Sequence, residues 1–449
     1  MDFIMELNSA VNNFVWGPPM LVLIVGTGIY FTLRTGFFSV RKLGYILKNT
    51  LMKMFAKDQT GEGEVTAFQA VATALAATVG TGNIAGVATA IASGGPGAVF
   101  WMWLAAIFGM TTKFAEVVLA IKYREKTEDG RFIGGPMYYI RNGLGWNWLA
   151  VIFAVFGALA AFGIGNMVQS NSVAASLQTS FNLNPWITGI VLAVLTALVI
   201  VGGIKRIGAF TEKLVPFMAA IYILGGLIII IVNASAIPTA FALIFKSAFT
   251  GQAAVGGFAG VTIANAVRFG VARGVFTNEA GLGSAPIAHA AATTDHPVRQ
   301  GLWGVFEVFA DTICICTITA LVIITSGIWE TGLSGAELTT TAFGASLPGG
   351  GYIVTIGVTL FAFSTIIGWE YYGERCLEYL VGPKSIMFYR IVWIPFIVVG
   401  AIGGLEPIWA LADTLNGLMA IPNLIGLLAL SGIVLKLTKE FFSSEKSKL

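Results

Sequence analysis

The sequence predicts an all-α membrane protein: eleven transmembrane helices, ten of them forming a five-plus-five inverted repeat behind one extra N-terminal helix. Three observations predict it. The 449 residues are 56% hydrophobic and only 11% charged, with mean hydropathy +0.82, whereas soluble domains carry about 25% charged residues. A surface so poor in charge is solvated by lipid. Eleven apolar runs are of the roughly 20-residue length that crosses a bilayer. Two of them, about five spans apart, are interrupted alike: Ala77-Thr78-Val79-Gly80-Thr81-Gly82-Asn83-Ile84-Ala85-Gly86 and Phe276-Thr277-Asn278-Glu279-Ala280-Gly281-Leu282-Gly283-Ser284-Ala285-Pro286.

Taken in order, the expected spans are 15–33, 66–92, 97–123, 148–177, 186–204, 210–232, 258–292, 301–328, 352–380, 386–403 and 407–437. Residues 1–13 read as a short interfacial segment; no basic stretch precedes the first apolar run, which argues against a cleaved signal peptide. The seventh span is too long for one straight crossing and suits a broken helix. Residues 237–249 are too short to span and read as a surface helix. The chain therefore divides into 1–65 (the extra helix and a cytoplasmic loop), 66–233 (first repeat), 234–257 (an extracellular loop), 258–437 (second repeat) and 438–449 (a cytoplasmic tail).

Basic residues set the sidedness. Arg34, Arg41, Lys42, Lys48, Lys53 and Lys57 follow the first span, and Lys122, Arg124, Lys126, Arg131 and Arg141 follow the third. Lys205, Arg206 and Lys213 flank the fifth-to-sixth turn, Arg299 follows the seventh span, and Arg375, Lys384 and Arg390 surround the ninth-to-tenth turn. Lys436, Lys439, Lys446 and Lys448 end the chain. All share one side if the N-terminus is outside, and Lys246 alone is left opposite. The positive-inside rule thus predicts a multi-pass cell-membrane protein with its N-terminus outside and its C-terminus cytoplasmic. With the first span set aside, a broken helix opens each set of five, and because five is odd the two sets run in opposite senses. Cys314, Cys316 and Cys376 lie in or beside apolar runs and read as packing thiols, with neither a disulfide framework nor a metal site.

Inside hydrocarbon, backbone groups freed by a break are tolerated only where protein or a water-filled cavity satisfies them. A half-helix that starts mid-membrane offers unpaired N–H groups and about +0.5 charge, and one that ends there offers carbonyls and about −0.5. A zwitterionic amino acid matches both. The N–H groups of Thr81 and Gly82 are assigned to its carboxylate, and the carbonyls near Ala76 and Val79 to a cation. The alternative is that these glycines only let helices pack closely; two matched interruptions with polar neighbours argue for a midplane binding site. No dinucleotide fingerprint is present, since the third glycine and the preceding strand are missing, and no nucleic-acid partner is expected.

Other polar groups fall inside spans. Asn166, Gln169 and Ser170 share one face of the fourth and suit either a pocket wall or interhelical glue. In the ninth, Ser364 and Thr365 carry hard oxygen ligands that would complete a site begun at Ala76 and Val79, although hydroxyls also bond back to the i−4 carbonyl. Trp369 lies one turn on, and with Phe276 it leaves room for only a small ligand side chain. Arg268, Arg273, Glu279, Glu307, Asp311 and Asp413 are ionisable within spans and so candidates for function; Arg268, Arg273, Asp311 and Asp413 are equally suited to gating ion pairs or static glue. His289 lacks an evident carboxylate partner for a proton relay. Lys113 and Glu116 read as an interface pair.

The run Gly274–Pro286 resembles the signature of the alanine/glycine:cation symporter family. The Thr78–Gly86 break, Gly134-Gly135-Pro136-Met137-Tyr138-Tyr139 and the run Phe361–Trp369 are similar to the same family, and the likeness extends over about 15–436. The first break is also similar to the unwound helix of neurotransmitter:sodium symporters, which share the five-plus-five fold. The resemblance implies sodium-coupled uptake of alanine, with glycine as a further candidate, by alternating access. It implies sodium at the carbonyls of Ala76, Val79 and Phe361 with the hydroxyls of Ser364 and Thr365. It implies substrate against Thr78, Thr81, Gly82, Gln169, Phe276, Gly281, Thr365 and Trp369. A second cation near Thr78, Asn83 and Thr277 occurs in more distant relatives. Coupling to H+ instead of Na+ is the nearest alternative. An ion channel would need a continuous pore with several ligand rings, and an enzyme would need a nucleophile–base pair or metal cluster, for which two histidines, His289 and His296, offer little.

Overall fold

The computed structural model describes residues 2–54, 60–252, 258, 260–403 and 406–444. Lys57, Lys446 and Lys448, used above for sidedness, lie outside the described residues, as does most of 253–259 at the start of the expected seventh span. The architecture is helical throughout, apart from one two-stranded hairpin.

Helix α1 (Asp2–Val15) is longer than an interfacial stub and docks by Asn12 Nδ2 on Asp413 Oδ2 at 3.0 Å. Pro18 and Pro19 can open a helix because its first N–H groups need no intrahelical partner, and α2 (Pro18–Arg34) begins there. Two short helices follow, α3 (Phe38–Arg41) and α4 (Leu43–Asn49). Thr66 and Gln69 then form a reciprocal capping box, Gln69 N to Thr66 Oγ1 at 3.0 Å and Thr66 N to Gln69 Oε1 at 3.1 Å, which starts α5 (Ala67–Thr78). After an extended Val79-Gly80 and a 3-10 turn over Thr81–Asn83 the chain resumes as α6 (Ala85–Gly94).

Helix α7 (Ala98–Lys122) leads to the hairpin β1 (Glu125–Lys126) and β2 (Phe132–Ile133), then to α8 (Pro136–Leu144). Helices α9 (Asn147–Ala160) and α10 (Val168–Phe181) are one rod joined by π-helical turns over Ala161–Met167. Then come α11 (Pro185–Ile200), α12 (Gly203–Val232) and α13 (Ile237–Thr250), the last a 14-residue helix where a short one is expected.

The second half opens with α14 (Ile263–Asn278) and the single turn α15 (Pro286–His289). Helices α16 (Pro297–Val308) and α17 (Thr317–Ser326) are again one rod, with π-helical turns over Phe309–Cys316. The chain ends with α18 (Gly335–Ser346), α19 (Gly350–Val381), α20 (Ser385–Ile402), α21 (Glu406–Ala429) and α22 (Ser431–Ser443).

Eight helical stretches among the described residues are long and apolar enough to cross a membrane. The expected spans 66–92, 186–204 and 258–292 are not among them. The first and third are cut by their breaks, and α11 has 16 residues. Two boundaries differ from expectation. The run 407–437 bends at Leu430 into α22, whose Lys436 and Lys439 face outward. The run 258–292 does not resume as a long helix after its break. Beyond α15 it is pinned as an extended segment beside 62–65, with Thr293 N to Val65 O at 2.7 Å and Glu64 N to Ala291 O at 2.8 Å. A Cβ on Gly63 would lie 2.3 Å from the Thr293 backbone, so glycine there permits the approach.

Candidate functional site

The first break meets α19 at the centre of the bundle. Val79 N makes the last regular bond of α5, to Leu75 O at 2.8 Å. Gly80 N turns away to Asn83 Oδ1 at 2.9 Å, so Ala76 O loses its helical donor. Ser364 Oγ and Thr365 Oγ1 reach it instead, at 3.0 and 3.2 Å. The same hydroxyls lie 2.8 and 2.9 Å from Phe361 O, one turn back on α19. Two carbonyls and two hydroxyls thus converge where α5 stops, all buried. Hard oxygen donors of this kind suit an alkali cation, around which the hydroxyls would present lone pairs in place of protons. Val79, the first residue off the helix at ψ 90, lies beside this cluster in sequence, and its carbonyl accepts no hydrogen bond among the described residues. The approach of the two helices requires glycine: a Cβ at Gly80 would sit 2.7 Å from Thr365 Oγ1, and one at Gly368 2.7 Å from Ala77 Cβ.

Next to the cluster is a small cavity of about 20 Å³, room for one water. Seven of the eight residues assigned to substrate line it: Thr78, Thr81, Gly82, Gln169, Phe276, Thr365 and Trp369. The N–H groups of Thr81 and Gly82 donate to no protein acceptor among the described residues, so both remain available to a ligand oxygen. Thr81 Oγ1 donates to Gln169 Oε1 at 3.2 Å, and Gln169 Nε2 donates to Ile164 O at 3.0 Å, a carbonyl in the π-helical stretch. Trp369 fits because Gly165, in that stretch, has no side chain; a Cβ there would lie 2.1 Å from Trp369 Cβ. Neither the π-helical turns nor Glu279 and Asn416, which also line the cavity, were assigned from sequence. Glu279 held the only available signal, an acid within the second break.

Gly281 is the exception. It lies at φ 91, and its N–H, with that of Gly283 at φ 85, donates to Glu116 Oε1 at 3.1 and 3.0 Å. Asn423 Nδ2 joins the same oxygen at 2.6 Å and Gly281 O at 2.9 Å. The second break is therefore filled by a side chain of the protein itself. Its following helix is one turn long, and its amides are taken by a resident carboxylate. Glu116 is accordingly not half of an interface pair with Lys113: both are fully buried, and Lys113 Nζ pairs with Glu307 Oε1 at 3.2 Å.

Glu307 is a hub. Thr78 Oγ1 lies 3.3 Å from the same oxygen, and His289 Nε2 is 3.0 Å from Glu307 Oε2. His289 does have a carboxylate partner, supplied by a helix the sequence could not place beside it. Its Nδ1 lies 2.9 Å from Gln300 Nε2. Of the residues proposed for a second cation, Thr78 joins Glu307, Asn83 Nδ2 donates to Asp311 Oδ1 at 2.6 Å, and Thr277 Oγ1 donates to Gly274 O at 2.9 Å. Asp311 is also removed from the other gating candidates, being buried against Asn83 and Thr312. Arg268, Arg273 and Asp413 do converge, with Asn12 and Trp16, on a separate cavity of about 140 Å³. Phe276 lines both cavities and is the partition between them.

The model of the family described as "Sodium:alanine symporter family" matches residues 1–449. The chain belongs to that family. It is a multi-pass membrane transporter, not an enzyme. The "Sodium/alanine symporter AgcS" of Methanococcus maripaludis is 56% identical over 456 residues, covering 100% of this chain and 99% of that protein. The "Probable sodium/glutamine symporter GlnT" of Bacillus subtilis is 40% identical, covering 97% and 90%. Among solved structures, a Na+-coupled sialic acid symporter in a substrate-bound outward-open state matches with TM-score 0.50 at 13% identity, covering 94% of this chain and 86% of that one. The Eremococcus coleocola manganese transporter also matches with TM-score 0.50, at 12% identity, covering 85% and 82%. These two likenesses speak to the fold alone.

Proposed function

We propose that the chain carries alanine, with glycine as a second substrate, into the cell together with Na+ by alternating access. One observation carries the reading: Ser364 and Thr365 both bridge Ala76 O and Phe361 O, beside a cavity whose Thr81 and Gly82 amides are unclaimed. Sodium binds Ala76, Val79, Phe361, Ser364 and Thr365. The substrate carboxylate takes the two amides. Its ammonium faces the carboxyl end of α14, where Phe276 and Thr277 line the cavity and the helix dipole is negative. Phe276 and Trp369 restrict the side chain. The small-residue names among the relatives support alanine, although one relative's name specifies glutamine. Lys113 Nζ, paired on Glu307 beside Thr78, holds a positive charge where a second cation would go, so the reading is one Na+ per substrate.

The chain is read as eleven spans in two inverted repeats, 66–233 and 258–437, with the N-terminus outside. Short helices in matching places support the repeat: α8 follows the long helix after the first break, and α18 follows the long rod after the second. The outer cavity of Arg268, Arg273 and Asp413 is then the extracellular approach. The test is uptake of labelled alanine into proteoliposomes with sodium and proton gradients imposed separately. Uptake driven by sodium alone is expected; uptake driven only by a proton gradient would replace Na+ with H+.

A further inference from the structure

We propose that Glu279 is the counter-charge for the substrate's ammonium group, a specificity-determining residue for the alanine reading above, on which this inference rests. Three observations place it there. Glu279 lines the central cavity and is buried, and its carboxylate accepts from Trp369, another residue of that lining. Its backbone sits at φ 55, a left-handed conformation uncommon for a residue with a side chain, at the point where α14 ends. And it has no cation: among the described residues no Lys, Arg or His nitrogen lies within 4.0 Å of its carboxylate, while Lys113 is paired with Glu307. Its partners are neutral donors, Trp369 Nε1 at 2.9 Å on one oxygen and Ser284 Oγ on the other.

A buried carboxylate held by neutral donors is left short of charge compensation. Sodium and a zwitterion together bring one net positive charge into this cavity, so an ionised Glu279 makes the loaded site neutral. The carbonyl end of α14 supplies only partial charge. The same carboxylate orients Trp369, which raises a competing role: Glu279 could act through the ring alone. The two roles separate by substitution. Glu279→Gln keeps an oxygen for Trp369 Nε1 and removes the charge. Glu279→Asp keeps the charge and shortens the reach to the ring. Trp369→Phe removes the donor and keeps the charge.

The experiment measures half-saturating alanine at saturating sodium for the full chain in proteoliposomes, with lactate, which has hydroxyl in place of ammonium, as competitor. Glu279→Gln is expected to raise the alanine value about tenfold or more, the size of a lost charge-assisted contact, while leaving inhibition by lactate unweakened or stronger, since sodium and the lactate anion alone already sum to zero charge. Glu279→Asp is expected to bind alanine more tightly than Glu279→Gln. Alanine binding by Glu279→Gln within twofold of the unsubstituted chain would overturn the proposal. So would equal losses for alanine and lactate, or Trp369→Phe reproducing the selective loss. Should Glu279→Gln fail to fold, Glu279→Asp against Trp369→Phe decides by the same ratio. An unsubstituted chain that took up no alanine would instead overturn the transport reading.

Discussion

Removing the hydroxyls of Ser364 and Thr365 tests the cation site most directly. In Ser364→Ala/Thr365→Ala, Ala76 O and Phe361 O each lose both hydroxyl contacts, at 3.0, 3.2, 2.8 and 2.9 Å. Of five proposed sodium ligands, three backbone carbonyls remain. A contact to a charged group contributes about 1.5–3 kcal/mol, so two lost ligands weaken sodium by about 3–6 kcal/mol. At 1.4 kcal/mol per decade the smaller figure is already about a hundredfold. Ala76 O, left buried without a donor, adds a stability cost of about 1–3 kcal/mol. Sodium dependence of alanine uptake and thermal unfolding should therefore be read on the same sample. The double variant should stay folded and lose sodium-driven uptake across the physiological sodium range, whereas Thr365→Ser should keep most of it. A folded double variant whose half-saturating sodium lies within about threefold of the unsubstituted chain would refute the assignment of these oxygens.

Three other perturbations have expected outcomes. Lys113→Met strands the buried Glu307 charge, which costs about 3–5 kcal/mol, and Lys113→Met/Glu307→Gln should recover most of the lost unfolding temperature; no recovery would mean the pair is not what holds α7 to α16. Gly165→Ala forces a methyl to within 2.1 Å of Trp369 Cβ, an overpacking worth about 1–3 kcal/mol, and uptake assays should show the ring displaced and alanine affinity reduced at least several-fold. Phe276→Ala removes the partition between the outer and central cavities, so larger neutral amino acids should compete with labelled alanine about tenfold better, consistent with 1–3 kcal/mol per methylene-scale change in a pocket; unchanged competition would place the size filter elsewhere.

The sequence disclosed the breaks because glycine and polar residues inside an apolar run have few other uses. It disclosed the α19 oxygens because Ser364 and Thr365 stand in an otherwise apolar stretch. It did not disclose that the second break is occupied by Glu116, because that depends on α7 passing across Gly281 and Gly283, a tertiary placement with no periodic signal. His289 and Glu307 are 18 residues apart and meet only because α15 is one turn long and the chain doubles back. The π-helical turns at Ala161–Met167 hold Gly163, Gly165 and Asn166, the same Gly-x-Gly-Asn pattern as the first break, yet here the helix continues, and the effect of the pattern appears only where Trp369 crosses Gly165. The bend at Leu430 is hidden for a like reason: the apolar pattern continues through it, while α22 turns to expose Lys436 and Lys439.

The two sides of the first broken helix are held by different forces. Toward α16 and the π-helical stretch that follows it, the ties involve ionisable side chains: Thr78 to Glu307, itself paired with Lys113 and His289, and Asn83 to Asp311. Toward α19 the polar ties within the described site are hydroxyls on Ala76 O, with no ion pair across that seam. In the proposed mechanism a cation bound at the second seam supplies the missing charge, so its arrival couples α5 to α19 and its departure releases them. Binding energy can shift an equilibrium between arrangements only by the difference in affinity for each. The seam without fixed charges is where that difference is largest, because only there does the ion decide whether the oxygens of two helices are satisfied together. At the proposed site, sodium acts on the α5–α19 seam, while Glu307 and Asp311 tie the broken helix to α16 and the π-helical stretch after it.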